Sequence, residues 1–341
     1  MLDPHLAVTV VTGLDPRAKS PVLAALGAPL LPDRFEAGDD AALTLADRLC
    51  ALADDGERGD LLVELPPHAD VVETALVLRH MLGASRSGAV LRDVIAVATA
   101  ADVSALLFRD GEANEVDDPE RLALQLEFAT TIVLVDPHAV SHRRIAQIGG
   151  LLTALNPAAN RLTFTQQHGF AVLAAPGAAP APRRAPSIEG LGQTTGWILE
   201  LAGHAGPPIT RGGVRCLVYR DPRPFHPVRL AAVVESWLEP EEAGLIVRSR
   251  GLVRLASRPD RVGSWSTAGG VLALDPTSMT TWHPDTPSGQ ELVFFGVDLN
   301  RDHIRRALDS CLLSGDELIA GPMEWETYYD PFPVWLLDHG H

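Results

Sequence analysis

The stretch LAVTVVTGLDPRAKSPVLAAL, residues 6–26, decides the fold. Residues 6–12 form a continuous apolar run, which is typical of a strand buried on both faces of a sheet. Gly13 marks a tight turn, and the apolar pattern that resumes after Lys19 predicts a helix. This order of strand, glycine turn and helix is that of a phosphate-binding loop, with Gly-x-x-x-x-Ala-Lys-Ser at residues 13–20.

Further apolar runs alternate with helical segments downstream of this stretch. The runs predict strands over residues 60–65, 93–99 and 131–135. The intervening patterns predict helices over residues 41–53, 70–81, 119–128 and 142–155. We therefore expect an α/β fold, with a P-loop NTPase-like, mostly parallel sheet that carries helices on both faces, over residues 1–173.

Residues 174–187, AAPGAAPAPRRAPS, predict an extended linker because four prolines among alanines cannot form a helix or a central strand. A second, smaller α+β domain is expected over residues 188–341. Its predicted helices cover residues 188–201 and 226–238, with a third from Arg301. Its predicted strands cover residues 214–220, 244–257, 262–267, 270–275 and 291–299.

Lys19 is the only lysine in a chain with 28 basic residues, and it falls at the position of a phosphate-binding lysine. The candidate nucleotide and magnesium site consists of Gly13, Ala18, Lys19, Ser20 and Glu64. Two neighbours damage it: Pro16 has no N–H to donate in the middle of the nest, and Asp15 adds negative charge. We expect weak nucleotide binding, impaired or absent hydrolysis and no catalytic residue. The alternative is that Lys19 merely opens a surface helix.

The net charge of −16 should repel phosphate backbones, so we expect no direct nucleic-acid binding and favour a basic protein partner. The three cysteines, Cys50, Cys216 and Cys311, lie far apart and predict a reducing compartment without disulfides. The first residues lack the basic start of a secretory signal, and no apolar run reaches the ~20 residues that cross a bilayer. A cytoplasmic protein without membrane association is expected.

A set of short motifs in both predicted domains resembles the CobW-type metallochaperone GTPases. In the first domain the motifs are VVTG (10–13), QLEFATTIVLV (125–135) and ALNPAA (154–159). In the second they are RPFHPVRL (223–230), IVRSRGLVRLASRP (246–259), ELVFFGVDL (291–299), CLLSGDE (311–317) and DPFPVW (330–335). The resemblance implies a P-loop domain, a smaller C-terminal domain, GTP and Mg²⁺ as cofactors, and a role in managing metals, often zinc.

The functional motifs of that family are largely missing. The family carries Cys-x-Cys-Cys before its Walker B strand, whereas this chain has Cys50 alone at a core-facing helical position, so its residues do not support zinc binding. Walker B reads VELPP, which keeps Glu64 but replaces the glycine region with prolines. Where the family reads guanine with Asn-Lys-x-Asp, residues 135–138 read Val-Asp-Pro-His, so guanine specificity should be lost.

One branch of the family, from actinobacteria, has similarly decayed motifs and recruits a ribosome hibernation factor under zinc limitation. RPFHP (223–227) and SRPDRV (257–262) carry the likeness to that branch. The first hypothesis is therefore an adaptor for such a ribosome-associated factor. The second is an active GTP-dependent zinc metallochaperone, and the third is a structural subunit that has lost both nucleotide and metal.

Several further residues could contact a metal or a partner. Aromatic residues concentrate in the C-terminal third, and an exposed subset of them could form a partner-binding patch. They are Trp265, Trp325, Tyr328, Tyr329, Phe332 and Trp335. His226 is expected to order the helix that follows it. Asp338, His339 and His341 could bind a metal, although two histidines in a frayed terminus are more typical of disorder.

Overall fold

A computed structural model describes residues 6–32, 40–109, 115–173, 188–204, 211–237, 240–283 and 286–335. The chain forms two compact units that divide between Ile198 and Leu199. The predicted linker, 174–187, and the tail histidines lie outside the described residues. The sequence places the start of the second domain at Ile188, yet Ile188 and Leu191 pack against the core of the first unit.

The first unit is built on a six-stranded sheet of order β2-β1-β3-β4-β5-β6. Five strands run parallel, and β6 pairs antiparallel with β5. The strands are β1 (Leu6–Thr12), β2 (Gly59–Glu64), β3 (Ala89–Thr99), β4 (Thr131–Val135), β5 (Asn160–Thr165) and β6 (Gly169–Val172). The β5–β6 hairpin has no counterpart among the predicted elements.

Helices cover both faces of this sheet because alternate side chains of β1 enter two different cores. Val8 and Val10 join a core with α2 and α3, while Val11 joins another with α1, β4 and β5. The helices of the unit are α1 (Pro16–Leu26), α2 (Ala41–Asp54), α3 (Val71–Ala84), α4 (Ala100–Asp102), α5 (Asp118–Glu127) and α6 (His142–Leu155). A π-helical turn, Val103–Leu107, continues α4. The predicted α/β fold class is confirmed.

The predicted helix over 188–201 is wrong over most of its length, because only α7 (Gly196–Leu201) is helical. Turns occupy the residues before it. Gly192 adopts a left-handed φ of 81°, and a Cβ there would meet the Phe128 ring at 3.0 Å. The glycine thus fits the chain closely against the first core but cannot continue a helix at this point.

The second unit contains a five-stranded antiparallel sheet of order β10-β9-β8-β11-β7. Its strands are β7 (Val214–Asp221), β8 (Leu245–Val253), β9 (Arg261–Ala268), β10 (Val271–Thr280) and β11 (Gln290–Val297). Its further helices are α8 (Pro227–Trp237), α9 (Pro240–Ala243), α10 (Arg301–Cys311), α11 (Gly315–Ala320) and α12 (Pro322–Trp325). Trp265, Phe294 and Leu308 belong to its core. Among the helices in the described part of the chain, none is both long and apolar enough to span a bilayer.

Candidate functional site

The turn after β1 begins at Gly13, which lies directly against the backbone of β3. A Cβ on Gly13 would stand 2.4 Å from the carbonyl oxygen of Val97 and 3.2 Å from the Lys19 side chain. Contacts below 3.0 Å with a backbone atom cannot be relieved by a rotamer change, so a side chain at this position would force the turn away from the sheet. Gly13 therefore fixes how closely α1 begins beside the central strands.

Helix α1 begins at Pro16, three residues after Gly13. The sequence predicts Pro16 in the middle of a phosphate nest, whereas the structure places it in the first turn of the helix, where its missing N–H costs little. Asp15 caps the helix: its carboxylate accepts a hydrogen bond from Arg17 N at 2.8 Å. The N–H groups of Ala18 and Lys19 both donate to Asp15 O at 3.2 Å. The donors expected to cradle a phosphate are therefore engaged within the turn.

Lys19 turns into the protein. Its Nζ donates to the carbonyl oxygen of Leu65 at 2.6 Å and pairs with Oε1 of Glu64 at 3.1 Å. The Lys19 side chain is 1% exposed, while that of Glu64 is 36% exposed. The contact joins α1 to the carboxyl end of β2, and it brings together two of the predicted site residues.

The other two predicted residues of the loop lie apart from this pair. Ala18 is buried and packs into the core that contains Val11 and Val22. Ser20 is exposed on α1. The five predicted residues therefore divide into a turn glycine, a core residue, an internal ion pair and a surface hydroxyl.

A cavity of about 440 Å³ opens beside the Lys19–Glu64 pair. Most of its lining is apolar, with prolines at positions 16, 32, 66 and 67 and leucines at 30, 31 and 65. A triphosphate site needs several convergent donors and positive charge. The charged lining side chains here are Lys19 and Glu64, which neutralise each other.

These observations decide the fit of GTP and Mg²⁺ to the turn as it stands. Next to this turn, Thr12 Oγ1 is buried and has no hydrogen-bond partner among the described residues. Thr12 is 0% exposed, so a ligand cannot approach it from solvent. With the amides of Arg17, Ala18 and Lys19 engaged and the ammonium group paired, the residues present do not fit a nucleotide phosphate.

The position expected to read guanine is occupied by structural contacts. Val135 is the last residue of β4 and belongs to the core. Asp136 has a left-handed φ of 48°, and its N–H donates to Phe164 O on β5. Pro137–Ala139 then form a single 3-10 turn, in which His138 is exposed. The segment supplies no amide side chain at this end of β4.

Metal ligands are dispersed through the described part of the chain. No three histidine, cysteine, aspartate or glutamate residues within it lie close enough to hold a metal ion. Cys50 is half-buried and packs against the core formed with α2 and α3. Burial raises the pKa of Cys216 and, to about 11, that of Cys311, so both thiols are poor ligands at neutral pH.

His226 lies at the start of α8, where the sequence predicts that it orders the helix. Its backbone N–H donates to Cys311 O at 2.7 Å, and its ring stacks on Tyr328 with centroids 4.8 Å apart. Burial lowers the pKa of its imidazole. His226 thus ties α8 to the C-terminal segment.

Comparison with known proteins identifies the second unit first. Residues 214–312 match the family model described as the cobalamin synthesis protein cobW C-terminal domain. Residues 214–312 are thus similar to a CobW C-terminal domain. The matched range begins at β7 and ends just after α10.

Two curated relatives extend the likeness. The chain is 28% identical over 257 residues to zinc-regulated GTPase metalloprotein activator 1 of Dictyostelium discoideum. The aligned region covers 66% of this chain and 51% of that protein. The chain is also 32% identical over 163 residues to a zinc chaperone of Mycobacterium tuberculosis. This aligned region covers 40% of this chain and 38% of that protein. The chain thus matches about half or less of the length of these relatives. Together with the CobW C-terminal domain, they support the CobW family for the chain.

Among solved structures, the zinc-bound YjiA GTPase from E. coli aligns with 91% of this chain and 99% of its own. The TM-score is 0.34 and the identity is 16%.

Neither the partner of Lys19 nor the exposure of the C-terminal segment is predicted by the sequence. The acceptor of Lys19 is a backbone carbonyl, which leaves no signature in the sequence. In residues 315–335 the aromatic pattern indicated a patch, but the most exposed apolar side chains include the aliphatic residues Ile319, Met323 and Val334.

Proposed function

We propose that this chain is a CobW-family protein of zinc homeostasis that acts as a protein adaptor and does not hydrolyse GTP. The observation that carries the proposal is the internal contact of Lys19, whose Nζ is bound by Leu65 O and Glu64 and is removed from solvent. A phosphate would have to reach an ammonium group that is 1% exposed and already contacts Leu65 O and Glu64. It would also meet the carboxylate of Asp15 at the mouth of α1.

The partner we propose is a basic, ribosome-associated hibernation factor recruited under zinc limitation. The resemblance of the sequence motifs to the hibernation branch suggests this partner, and the net charge of −16 favours a basic protein over RNA. The zinc-related names of both curated relatives support the link to zinc. In this proposal zinc is sensed elsewhere, since the described residues offer no ligand cluster.

The second candidate is a GTP-dependent zinc metallochaperone. The Dictyostelium relative is named a GTPase, and Lys19 and Glu64 lie side by side beside a cavity of about 440 Å³. In that case nucleotide must rebuild the turn from Gly13 to Ser20, release Lys19 from Leu65 O and draw metal ligands from residues other than Cys50. The two candidates therefore differ in one measurable property, the accessibility of Lys19 to a phosphate.

Lys19 can be tested directly because it is the only lysine in the chain. An amine-acetylating reagent followed by mass spectrometry should modify native Lys19 about 100-fold more slowly than the urea-unfolded chain, as expected for a buried group. Calorimetry with GTP or ATP and Mg²⁺ should give no binding heat up to millimolar nucleotide. Micromolar GTP binding with turnover that Lys19→Met abolishes would overturn the adaptor proposal and favour the GTP-dependent candidate.

The partner is tested separately. A tagged chain should recover a ribosome-associated factor from zinc-starved cells and not from zinc-replete cells. Equal recovery from both would contradict the link to zinc limitation.

A further inference from the structure

The exposed apolar side chains of the described residues are concentrated in one short segment. Five large apolar side chains are more than three-quarters exposed, and four of them lie between residues 319 and 334. These four are Ile319 (86%), Met323 (88%), Tyr329 (76%) and Val334 (81%). Scattered exposed apolar residues are ordinary on protein surfaces, whereas four such residues within one 16-residue stretch make that stretch a candidate interaction site. We call these four residues the C-terminal surface.

The backbone that presents this surface is anchored to the second unit. Trp325 Nε1 donates to Glu317 O at 2.6 Å, which holds α12 against α11. Asp330 accepts hydrogen bonds from Ser257 and Arg258 at 2.5 and 2.8 Å. These contacts fix both ends of the stretch between α11 and Pro331.

The last described residue is anchored as well. Trp335 Nε1 donates to Leu274 O at 2.9 Å, and the Arg258 guanidinium lies 4.2 Å from the centre of its ring. Phe332 packs against the core of the unit. Aromatic residues thus point inward at intervals, and the C-terminal surface is held outward between them instead of fraying.

The charges around the C-terminal surface are acidic. Residues 307–335 contain no lysine, arginine or histidine. Arg229 pairs with Glu317 and Arg258 pairs with Asp330, which neutralises two carboxylates. Three more acids, Asp316, Glu324 and Glu326, are exposed and form no ion pair with any described residue. The surface therefore combines large apolar side chains with unpaired negative charge.

We infer that the C-terminal surface docks a basic segment of a partner protein that carries aliphatic side chains alongside its lysines or arginines. The aliphatic groups would cover Ile319, Met323 and Tyr329, while the basic groups would pair with Asp316, Glu324 and Glu326. Charge of this kind steers association and selects the partner, and the buried apolar contacts hold it. This inference rests on the proposed adaptor function, because it takes the C-terminal surface as the site where the adaptor binds its partner protein.

The test uses the full chain and an 18-residue peptide with leucine and arginine placed at helical spacing. Fluorescence anisotropy compares it with a scrambled peptide of the same composition and with a version in which glutamate replaces arginine. We expect binding of the helical basic peptide at least about tenfold tighter than either control, a difference of about 1.4 kcal/mol. Equal binding of the scrambled peptide would show that binding depends on net charge alone and would overturn the inference.

Three variants locate the binding site. The triple substitution Ile319→Ser, Met323→Ser and Tyr329→Ser should weaken peptide binding about tenfold, and Glu324→Lys with Glu326→Lys should weaken it and remove its salt dependence. Val116→Ser is the matched control, because Val116 is 73% exposed but lies in the first unit. All three should unfold at the temperature of the parent chain. Unchanged binding by the triple variant would overturn the inference.

Two further measurements separate other outcomes. If sedimentation shows a dimer that the triple variant loses, the surface is occupied by a second copy of the chain, which overturns the partner assignment. GTP titration is performed on the same samples. GTP turnover together with peptide binding would reject the proposed adaptor function and keep the docking surface. If neither the peptide nor the nucleotide binds, the docking surface is rejected and the adaptor function is kept.

Discussion

Lys19 and Tyr329 differ sharply in exposure, at 1% and 76%. Lys19 belongs to a sequence pattern typical of a ligand site, yet its charge is satisfied inside the first unit by Glu64 and Leu65 O. Tyr329 belongs to an aromatic-rich segment whose residues mostly favour burial, yet it is presented to solvent by an anchored backbone. A polar motif can thus become a structural contact, while a surface for binding is built from residues that carry no catalytic motif.

The largest effect is expected at Gly13, which decides whether the turn can keep α1 against the sheet. Gly13→Ala would place a Cβ 2.4 Å from Val97 O. We expect the free energy of unfolding to fall by about 4 kcal/mol, because neither backbone can yield without moving a central strand. Urea denaturation followed by circular dichroism measures it.

Gly83 provides the control for this substitution. Gly83 lies in α3 with open space around its Cβ position. Gly83→Ala should raise the free energy of unfolding by about 0.5–1 kcal/mol, since alanine favours the helix. Equal effects of the two substitutions would show that the close approach of the turn to β3 is not what fixes it.

Lys19→Met tests the internal ion pair itself. Methionine keeps the length of the side chain but leaves Leu65 O without its donor and Glu64 without its partner. The free energy of unfolding should fall by about 2 kcal/mol, in the range of hydrogen bonds to charged groups. Arg17→Met, at an exposed neighbour on α1, should change it by less than about 0.5 kcal/mol.

A Lys19→Met variant as stable as the parent would show that the contacts of the ammonium group with Leu65 O and Glu64 make no net contribution to stability. Lys19 would then no longer differ from the C-terminal surface in having a structural role. Melting temperatures of the two variants, measured side by side, decide the point.

The sequence could predict the parallel sheet, because apolar runs such as 131–135 allow few other structures. It could also predict the CobW C-terminal domain from its motifs. It could not predict that α1 begins at Pro16, since proline suits a turn and a first helical turn equally well. Nor could it predict that Ile319 and Met323 are exposed: their hydrophobicity favours burial, and only the short helices and anchoring contacts of this segment hold them outside.

Asp330→Asn tests whether the C-terminal segment is held as firmly as the turn. The Asp330 and Arg258 side chains are 16% and 14% exposed, so their contact is shielded from water. Loss of the charge should cost about 1.5 kcal/mol and speed hydrogen exchange at the backbone amides of residues 325–335. Asp316→Asn, at an exposed carboxylate in the same segment, should leave the exchange unchanged. Unaltered exchange in Asp330→Asn would mean that Trp335 and Phe332 alone fix the segment.

The smallest effect is expected at Glu317, where the Arg229 side chain, through hydrogen bonds at 3.0 and 2.8 Å, lowers the carboxyl pKa to about 2. Since the folded pKa lies below the unfolded value, this stabilisation is complete above about pH 4.5 and is lost as the pH falls towards 2. Glu317→Gln should therefore reduce the free energy of unfolding by about 1 kcal/mol at pH 7, a value reduced by solvent screening. The difference from the parent chain should shrink in denaturation curves taken between pH 5 and pH 3.

Glu324→Gln, at a carboxylate of the same segment without a described ion pair, should track the parent throughout. Glu317 also accepts a hydrogen bond from Ser314 N at the start of α11, at 2.7 Å. A deficit in Glu317→Gln that stays constant with pH would assign the role of Glu317 to this capping contact instead of its charge.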